Sequence, residues 1–395
     1  MSVNTGKTQV VVFRKGKRYP RDKQDPLDRD LPPGASPRFK FGDQTLEVVD
    51  EYRYLGFVFH SHKTPAAHGF SILLNTARRA MFAVKARCDG LGIRDFRTRL
   101  QLFDSQVRPI LLYACELWLP YVLSSPLKWS DSPIESLHRI FLKSICRLPS
   151  ATPTASLMWE FGRYPLIAFA LKQACTSLHK FAQLTCTSDP RYDALRIGIR
   201  LSKHDQCSPA WGAKFRSLLS TLSLDFSLQT VHMKDFAPTA FTTFIDRFKL
   251  DVSSRLSDPT ATKHEFYSKL SSSFGPAPYL LNSPSMFARD RLCTARLGML
   301  PLDNEIQRWA GTPRASRAPC PLCANQSPMF PEVETEAHFV LRCPALYSAR
   351  VKYRGFLDSL PVPGSTSDLL SHEDFVTCGD YLATLWRSRR ALLGP

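Results

Sequence analysis

With 395 residues, 44% of them hydrophobic and 22% charged, this chain is long enough for two or three cored domains, and its composition excludes a disordered polymer. Thirty prolines work against long regular sheets. A formal net charge of +17 points to a polyanionic partner, and no apolar run approaches the ~18 residues that would cross a bilayer.

In chain order, residues 1–60 read as β. Thr8–Phe13 is a β-branched run expected to be a buried strand. A basic, proline-rich loop comes next, then three short strands are expected at Arg38–Phe41, Thr45–Val49 and Arg53–Phe59. Gly42-Asp43-Gln44 suits a hairpin between the first two. Residues 65–150 read as three helices. The first carries Leu73, Ala77, Met81, Val84 and Cys88 on one face and stops at Asp89-Gly90 and Gly92. The second starts at Asp95 as N-cap and is expected to kink at Pro109. The third starts near Pro133, with Glu135, Arg139, Lys143 and Arg147 expected on its solvent side. Residues 151–285 look mostly helical, clearest at Leu166–Leu184 and Phe241–Leu256. Residues 286–395 hold a basic helix, Met286–Leu297, and a last helix near Asp374–Leu393. The expected class is α+β, mainly α, with a short N-terminal β meander.

The strongest chemical signal is Cys320-x2-Cys323-x14-His338-x4-Cys343. Zn²⁺ takes four soft or borderline donors in a tetrahedron, and four protein ligands leave no open position, so this spacing reads as a structural zinc site. His338 and Cys343 are five apart, which an ideal α-helix would place about 140° apart, so a helix must end before Cys343-Pro344. The remaining cysteines, Cys88, Cys115, Cys146, Cys175, Cys186, Cys207, Cys293 and Cys378, are scattered and read mostly as core thiols. The odd cysteine total and the absence of a secretory pattern in Met1–Phe13 suit a reducing, intracellular setting, nuclear or cytoplasmic.

Gly6-Lys7-Thr8 imitates the end of a P-loop but lacks the earlier glycine, the preceding strand and the following helix, which excludes the ATPase reading. From Arg78 to Arg108 the chain holds eight Arg or Lys against three Asp. Arg78, Arg79, Lys85, Arg87 and Arg97 are the candidates for phosphate contact, with the solvated helix face as the other reading. The loop from Arg14 to Lys23 is similarly basic, with Tyr19 as its one aromatic. The sequence has no Asp-Asp pair and no compact carboxylate cluster suited to two Mg²⁺ ions.

Several of these segments, in this order, resemble the C-terminal part of a non-LTR (LINE-type) retrotransposon reverse transcriptase. Asn4-Thr5-Gly6-Lys7-Thr8 and the strand to Phe13 resemble the end of the palm, and Tyr52-Arg53-Tyr54-Leu55-Gly56 resembles the primer grip. Leu102–Trp118 looks like the thumb, and Leu137-His138-Arg139 and Glu160-Phe161-Gly162-Arg163 resemble the family's segment downstream of the thumb. Arg289, Arg291, Arg296-Leu297-Gly298, Glu334-Thr335-Glu336 and the four metal-ligand candidates resemble the family's zinc-knuckle region. The resemblance implies a palm remnant at 1–62, a thumb-like three-helix bundle at 63–150, a helical connecting region at 151–285 and a zinc-knuckle region with a C-terminal helix at 286–395. It implies RNA and DNA as partners, with Lys7, Tyr54, Leu55 and Gly56 near the primer end; by family position Lys7 is the pyrophosphate-facing lysine, although without metals it reads as an exposed strand-end residue.

The family's catalytic aspartates would precede Met1. The expected function is therefore nucleic-acid binding without catalysis, from a truncated element copy or a reading frame begun inside the palm. Mg²⁺ would enter only if the missing palm were supplied. Two alternatives stand beside it: a repurposed zinc-containing RNA-binding or protein-interaction factor, and a reverse transcriptase active only with a palm supplied upstream or in trans.

Overall fold

A computed structural model describes residues 8–13, 39–61, 65–123, 125–184, 189–203, 211–258, 267, 270, 273–323, 332–361 and 365–394. Among the described residues helices dominate, and the few short strands lie in the first sixty residues. The strands are β1 (Gln9–Val10), β2 (Phe39–Phe41), β3 (Gln44–Val48), β4 (Glu51–Tyr54) and β5 (Phe57–His60). The helices then run α1 (Pro65–Gly90), α2 (Phe96–Gln106), α3 (Arg108–Leu112), α4 (Cys115–Val122), α5 (Pro133–Ile145), α6 (Thr154–Glu160), α7 (Leu166–Ala182), α8 (Pro190–Leu201) and α9 (Trp211–Ser220). They continue with α10 (Leu228–His232), α11 (Phe236–Ser257), α12 (Pro278–Asn282), α13 (Met286–Arg296), α14 (Asp303–Trp309), α15 (Tyr347–Val351), α16 (Arg354–Asp358), α17 (Thr366–Ser371) and α18 (Phe375–Leu393). No helix among the described residues is long and apolar enough to cross a membrane.

Most of these elements arise from local chemistry. The Gly42-Asp43 turn joins β2 to β3 as expected, with Phe41 opposite Gln44 and Gly42 at φ 60°. Asp95 caps α2, its carboxylate accepting the Thr98 N–H at 2.7 Å. Pro109 does more than kink: the chain breaks at Val107, and α3 restarts with the proline in its first turn, where no N–H is needed.

Four expectations need correction. The described residues of 65–150 hold five α-helices instead of three, because the chain breaks at Val107 and again before Cys115, where Ala114 takes a positive φ of 51°. Thr8–Phe13 yields only the two-residue β1, parallel to β3, and Phe13 is 58% exposed instead of buried. Arg53–Phe59 is not one strand. It straddles a hairpin, because Leu55 and Gly56 both take positive φ, 47° and 88°. That is the mirror-image two-residue turn whose twist matches the flanking strands, with glycine easing its second position. Glu135, expected in solvent, is fully buried and meets His138 Nδ1 at 3.2 Å. A partner one turn along lets the carboxylate leave water.

Chain contacts divide the protein into two compact units, each assembled from three stretches. Unit 1 comprises Met1–Ala83, Asp104–Ile134 and Leu166–Phe244. In it the β4–β5 hairpin lies under α1, and Gly69 permits the approach, since a Cβ there would fall 2.4 Å from the Phe57 ring. Trp118 of α4 is buried against Phe70, ring centroids 4.6 Å apart, and α4 packs on α7 and α9. Helices α8 and α9 cross backbone to backbone at Gly198 and Gly212.

Unit 2 comprises Val84–Phe103, Glu135–Pro165 and Ile245–Pro395. Phe103 stacks on Phe141 at 4.4 Å and on His138 at 5.6 Å. Helix α13 packs along α18. A buried ion pair ties the segments together: Glu160 Oε1 accepts from Arg296 Nε at 2.6 Å and from the Tyr279 hydroxyl at 2.8 Å, while Oε2 accepts from the Tyr267 hydroxyl at 2.7 Å. Arg296 also donates to the Leu370 carbonyl. Both carboxylate oxygens are thus met by donors, the condition under which such a buried pair is tolerated. Glu160→Gln leaves Arg296 without its counter-charge and is expected to lower stability by about 3–5 kcal/mol, against about 1–2 kcal/mol for Tyr267→Phe, as read from urea unfolding.

Candidate metal centre

Within unit 2, Cys320 and Cys323 sit on one tight turn. The Cys320 N–H donates to the Glu332 carbonyl at 2.8 Å, and Pro319 bridges Val333. These backbone contacts pin the turn against the strand-like segment that leads to His338.

His338 and Cys343 solve the five-residue spacing in a way not foreseen from sequence. The helix does not simply stop. It widens over His338–Arg342 into a π turn, and the Cys343 N–H donates to the His338 carbonyl at 2.7 Å. Closing an i→i+5 ring returns Cys343 beneath His338, where an α turn would have carried it to another face. The Thr335 hydroxyl accepts the His338 N–H at 3.1 Å, and Pro344 prevents continuation.

The four ligand atoms lie within 4.8 Å of one another, all on buried residues. Cys320 Sγ is 4.0 Å from Cys343 Sγ, and Cys323 Sγ is 3.4 Å from His338 Nε2. A tetrahedral ion with bonds near 2.3 Å to sulfur and 2.0 Å to nitrogen would set its donors roughly 3.5–3.8 Å apart. The group could thus hold a metal ion, and it is the one such group of three or more His, Cys, Asp or Glu among the described residues.

The electrostatics agree. His338 Nδ1 donates to Glu332 Oε2 at 2.7 Å, which turns Nε2 toward the sulfurs as an acceptor. A hydrogen bond from Cys343 holds the Cys320 thiol down to about 3, while its interaction with Cys320 and burial push Cys343 far up. Burial, then Cys320, push Cys323 up to about 11. The Cys320 hydrogen bond raises His338. Three thiols this close cannot all ionise unless a cation joins them.

The knuckle is fastened to α18. Glu334, fully buried, accepts Arg389 Nε at 2.6 Å and Nη2 at 2.8 Å, and also takes the Asp303 N–H at the start of α14. Phe339 meets Trp386 edge-on at 6.1 Å, and the Tyr381 hydroxyl donates to the Val340 carbonyl. The supporting roles of Glu332, Glu334 and Arg389 are not visible in the sequence. Glu334 stands in the Glu334-Thr335-Glu336 segment, but its partner lies 55 residues away.

The other expected site residues divide between the units. In unit 1, Tyr54, Leu55 and Gly56 form the tip of the β4–β5 hairpin; Tyr54 and Leu55 are exposed, and the Tyr113 hydroxyl donates to the Leu55 carbonyl. Arg78 and Arg79 are exposed on α1. In unit 2, Arg87 and Arg97 are exposed, while Lys85 is half-buried and donates to Asp89 at 3.2 Å. Lys7 and the Arg14–Lys23 loop lie outside the described residues, as do Cys186 and Cys207. Cys88, Cys115, Cys146, Cys175, Cys293 and Cys378 are buried free thiols, as expected.

Comparison with known protein families, with curated proteins and with solved structures finds no match. The site is therefore read from its own chemistry. The purified chain is expected to carry one metal ion by native mass spectrometry and none after Cys320→Ser with Cys343→Ser. Glu332→Ala should keep the ion but weaken its affinity about 10–100-fold, measured by chelator competition.

Proposed function

We propose that this chain is a nucleic-acid-binding, non-catalytic C-terminal portion of a non-LTR retrotransposon reverse transcriptase, and that the ion of its Cys3His centre is structural zinc. The observation that carries the reading is the closed centre in a chain of net charge +17. Three thiolates and an imidazole within 4.8 Å of one another suit zinc over harder, oxygen-seeking cations. Four protein donors leave no position for water or substrate, so the ion fixes a fold and performs no chemistry.

Arginines supply the other half of the reading. Arg78, Arg79, Arg87 and Arg97 stand in solvent, where guanidinium groups meet phosphate oxygens without first giving up a buried partner. The exposed hairpin tip offers the Tyr54 ring and the Leu55 side chain to a strand, while Tyr113 holds the Leu55 carbonyl. These features support sequence-tolerant attachment to a phosphodiester chain, because phosphate contacts position a strand and bases specify it.

Titrating labelled single-stranded RNA and an RNA–DNA duplex with the zinc-loaded chain tests this. Affinity is expected to fall linearly on a log–log scale with salt, with a slope near −0.7 per phosphate neutralised for single strands. The pair Arg78→Ala and Arg79→Ala should weaken binding and lower that slope by about one to two. A flat salt response would rule the reading out. A primer–template with Mg²⁺ and nucleotides should show no extension.

A further inference from the structure

A cleft of about 580 Å³ opens within unit 2, at the end of α1, the start of α2, the end of α5 and the start of α13. Its volume falls in the range of sites that hold small ligands. Its lining is lopsided in charge. Lys85, Arg94, Arg99, Arg147 and Arg289 face two carboxylates, Asp89 and Asp290.

Those seven groups fall into two layers. The rear layer is committed to the fold. Buried Arg99 donates to Asp89 at 2.5 Å and to the Ile93 carbonyl at 2.8 Å. Buried Arg289 donates to Asp290 at 2.9 Å and to the carbonyls of Arg94 and Ile145 at 2.9 and 3.4 Å. Lys85 also leans on Asp89. Both carboxylates thus already carry cationic partners, Asp290 buried and Asp89 half-exposed. The front layer is Arg94 and Arg147, both exposed, and neither makes an ion pair among the described residues. Arg147 takes a left-handed backbone, φ 54°, just past α5, where the Leu148 N–H donates to the Lys143 carbonyl at 2.9 Å and closes the helix end.

Helix α13 adds to the field. Its first residues, Met286 and Phe287, line the cleft, with Ser285 capping the Ala288 N–H at 3.3 Å. The positive end of an eleven-residue helix therefore points at the same space. A guanidinium-lined recess with two arginines at its mouth that make no close ion pair among the described residues suits a tetrahedral oxyanion.

We propose that this cleft is a phosphate-ester site, with Arg94 and Arg147 gripping the oxygens and Arg289 holding the wall that sets their spacing. The backbone of a nucleic-acid strand is its source under the function proposed above, on which that identification rests; a free polyphosphate is the other source of the same chemistry.

The test uses the full, metal-loaded chain carrying Arg94→Gln and Arg147→Asn, the asparagine chosen because it tolerates the left-handed backbone. An unchanged helical circular dichroism spectrum and unchanged metal content establish that the variant folds, and Arg94→Gln alone serves if it does not. Labelled single-stranded RNA and inorganic pyrophosphate are the two probes. At least a tenfold loss of RNA affinity, a salt slope lowered by about one to two, and competition by pyrophosphate assign the cleft to a strand. Unchanged RNA binding with pyrophosphate binding lost assigns it to free polyphosphate. If the native chain binds no RNA, the nucleic-acid reading fails and the pyrophosphate arm alone decides the cleft. Equal affinity of native and variant chains for both probes, or no binding of either, overturns the proposal.

Discussion

Bringing three thiols and an imidazole within 4.8 Å of one another is the constraint on which unit 2 is organised. Sulfur atoms at that separation repel as they ionise, and a neutral cluster would waste the carboxylate that Glu332 aims at His338. A single cation would resolve both. Because the site needs deprotonated ligands brought together from two chain segments, the energy of binding an ion there would be folding energy. The π turn is part of the same solution: it is the backbone shape that lets a histidine and a cysteine five residues apart serve one ion.

From the cluster, order passes to α18 and then to α13 through contacts of definite kind. The residues just past His338 supply Phe339 and the Val340 carbonyl to Trp386 and Tyr381. Glu334 locks onto Arg389 of the same helix. Helix α18 packs along α13, which carries Arg289 at one end and Arg296 at the other. The two arginines then do different work. Arg296 is sunk into the Glu160 carboxylate, whereas Arg289 hangs between carbonyls at the edge of the basic cleft. One helix thus joins a buried electrostatic anchor to an open electropositive surface.

How far the sequence could be read depended on how local each signal was. The metal ligands were legible because spacing and donor chemistry are both written within one short stretch of chain. The apolar face of α1, the Gly42-Asp43 turn and the Asp95 cap were legible for the same reason. The β4–β5 hairpin was not, since a turn opening on Leu55 lacks the usual Asn or Asp before glycine. Glu135 misled because i,i+4 charge spacing reads as a solvent face, and its actual partner is His138 at i+3. The Glu160–Arg296 pair spans 136 residues, so nothing local marks it, although each residue stands in a recognisable motif of its own. The same distance hid the interleaving of the units: residues 63–150 contribute to both.

That interleaving has a consequence for how the protein is made. Val84–Phe103 and Glu135–Pro165 belong to a unit whose largest stretch begins at Ile245. On a ribosome the early pieces emerge on the order of ten seconds before that stretch, with the glutamate of the central anchor still lacking its arginine. Such a chain depends on chaperone shelter or on quick collapse of its other unit, and ribosomal pausing before Ile245 would lengthen its exposure to self-association.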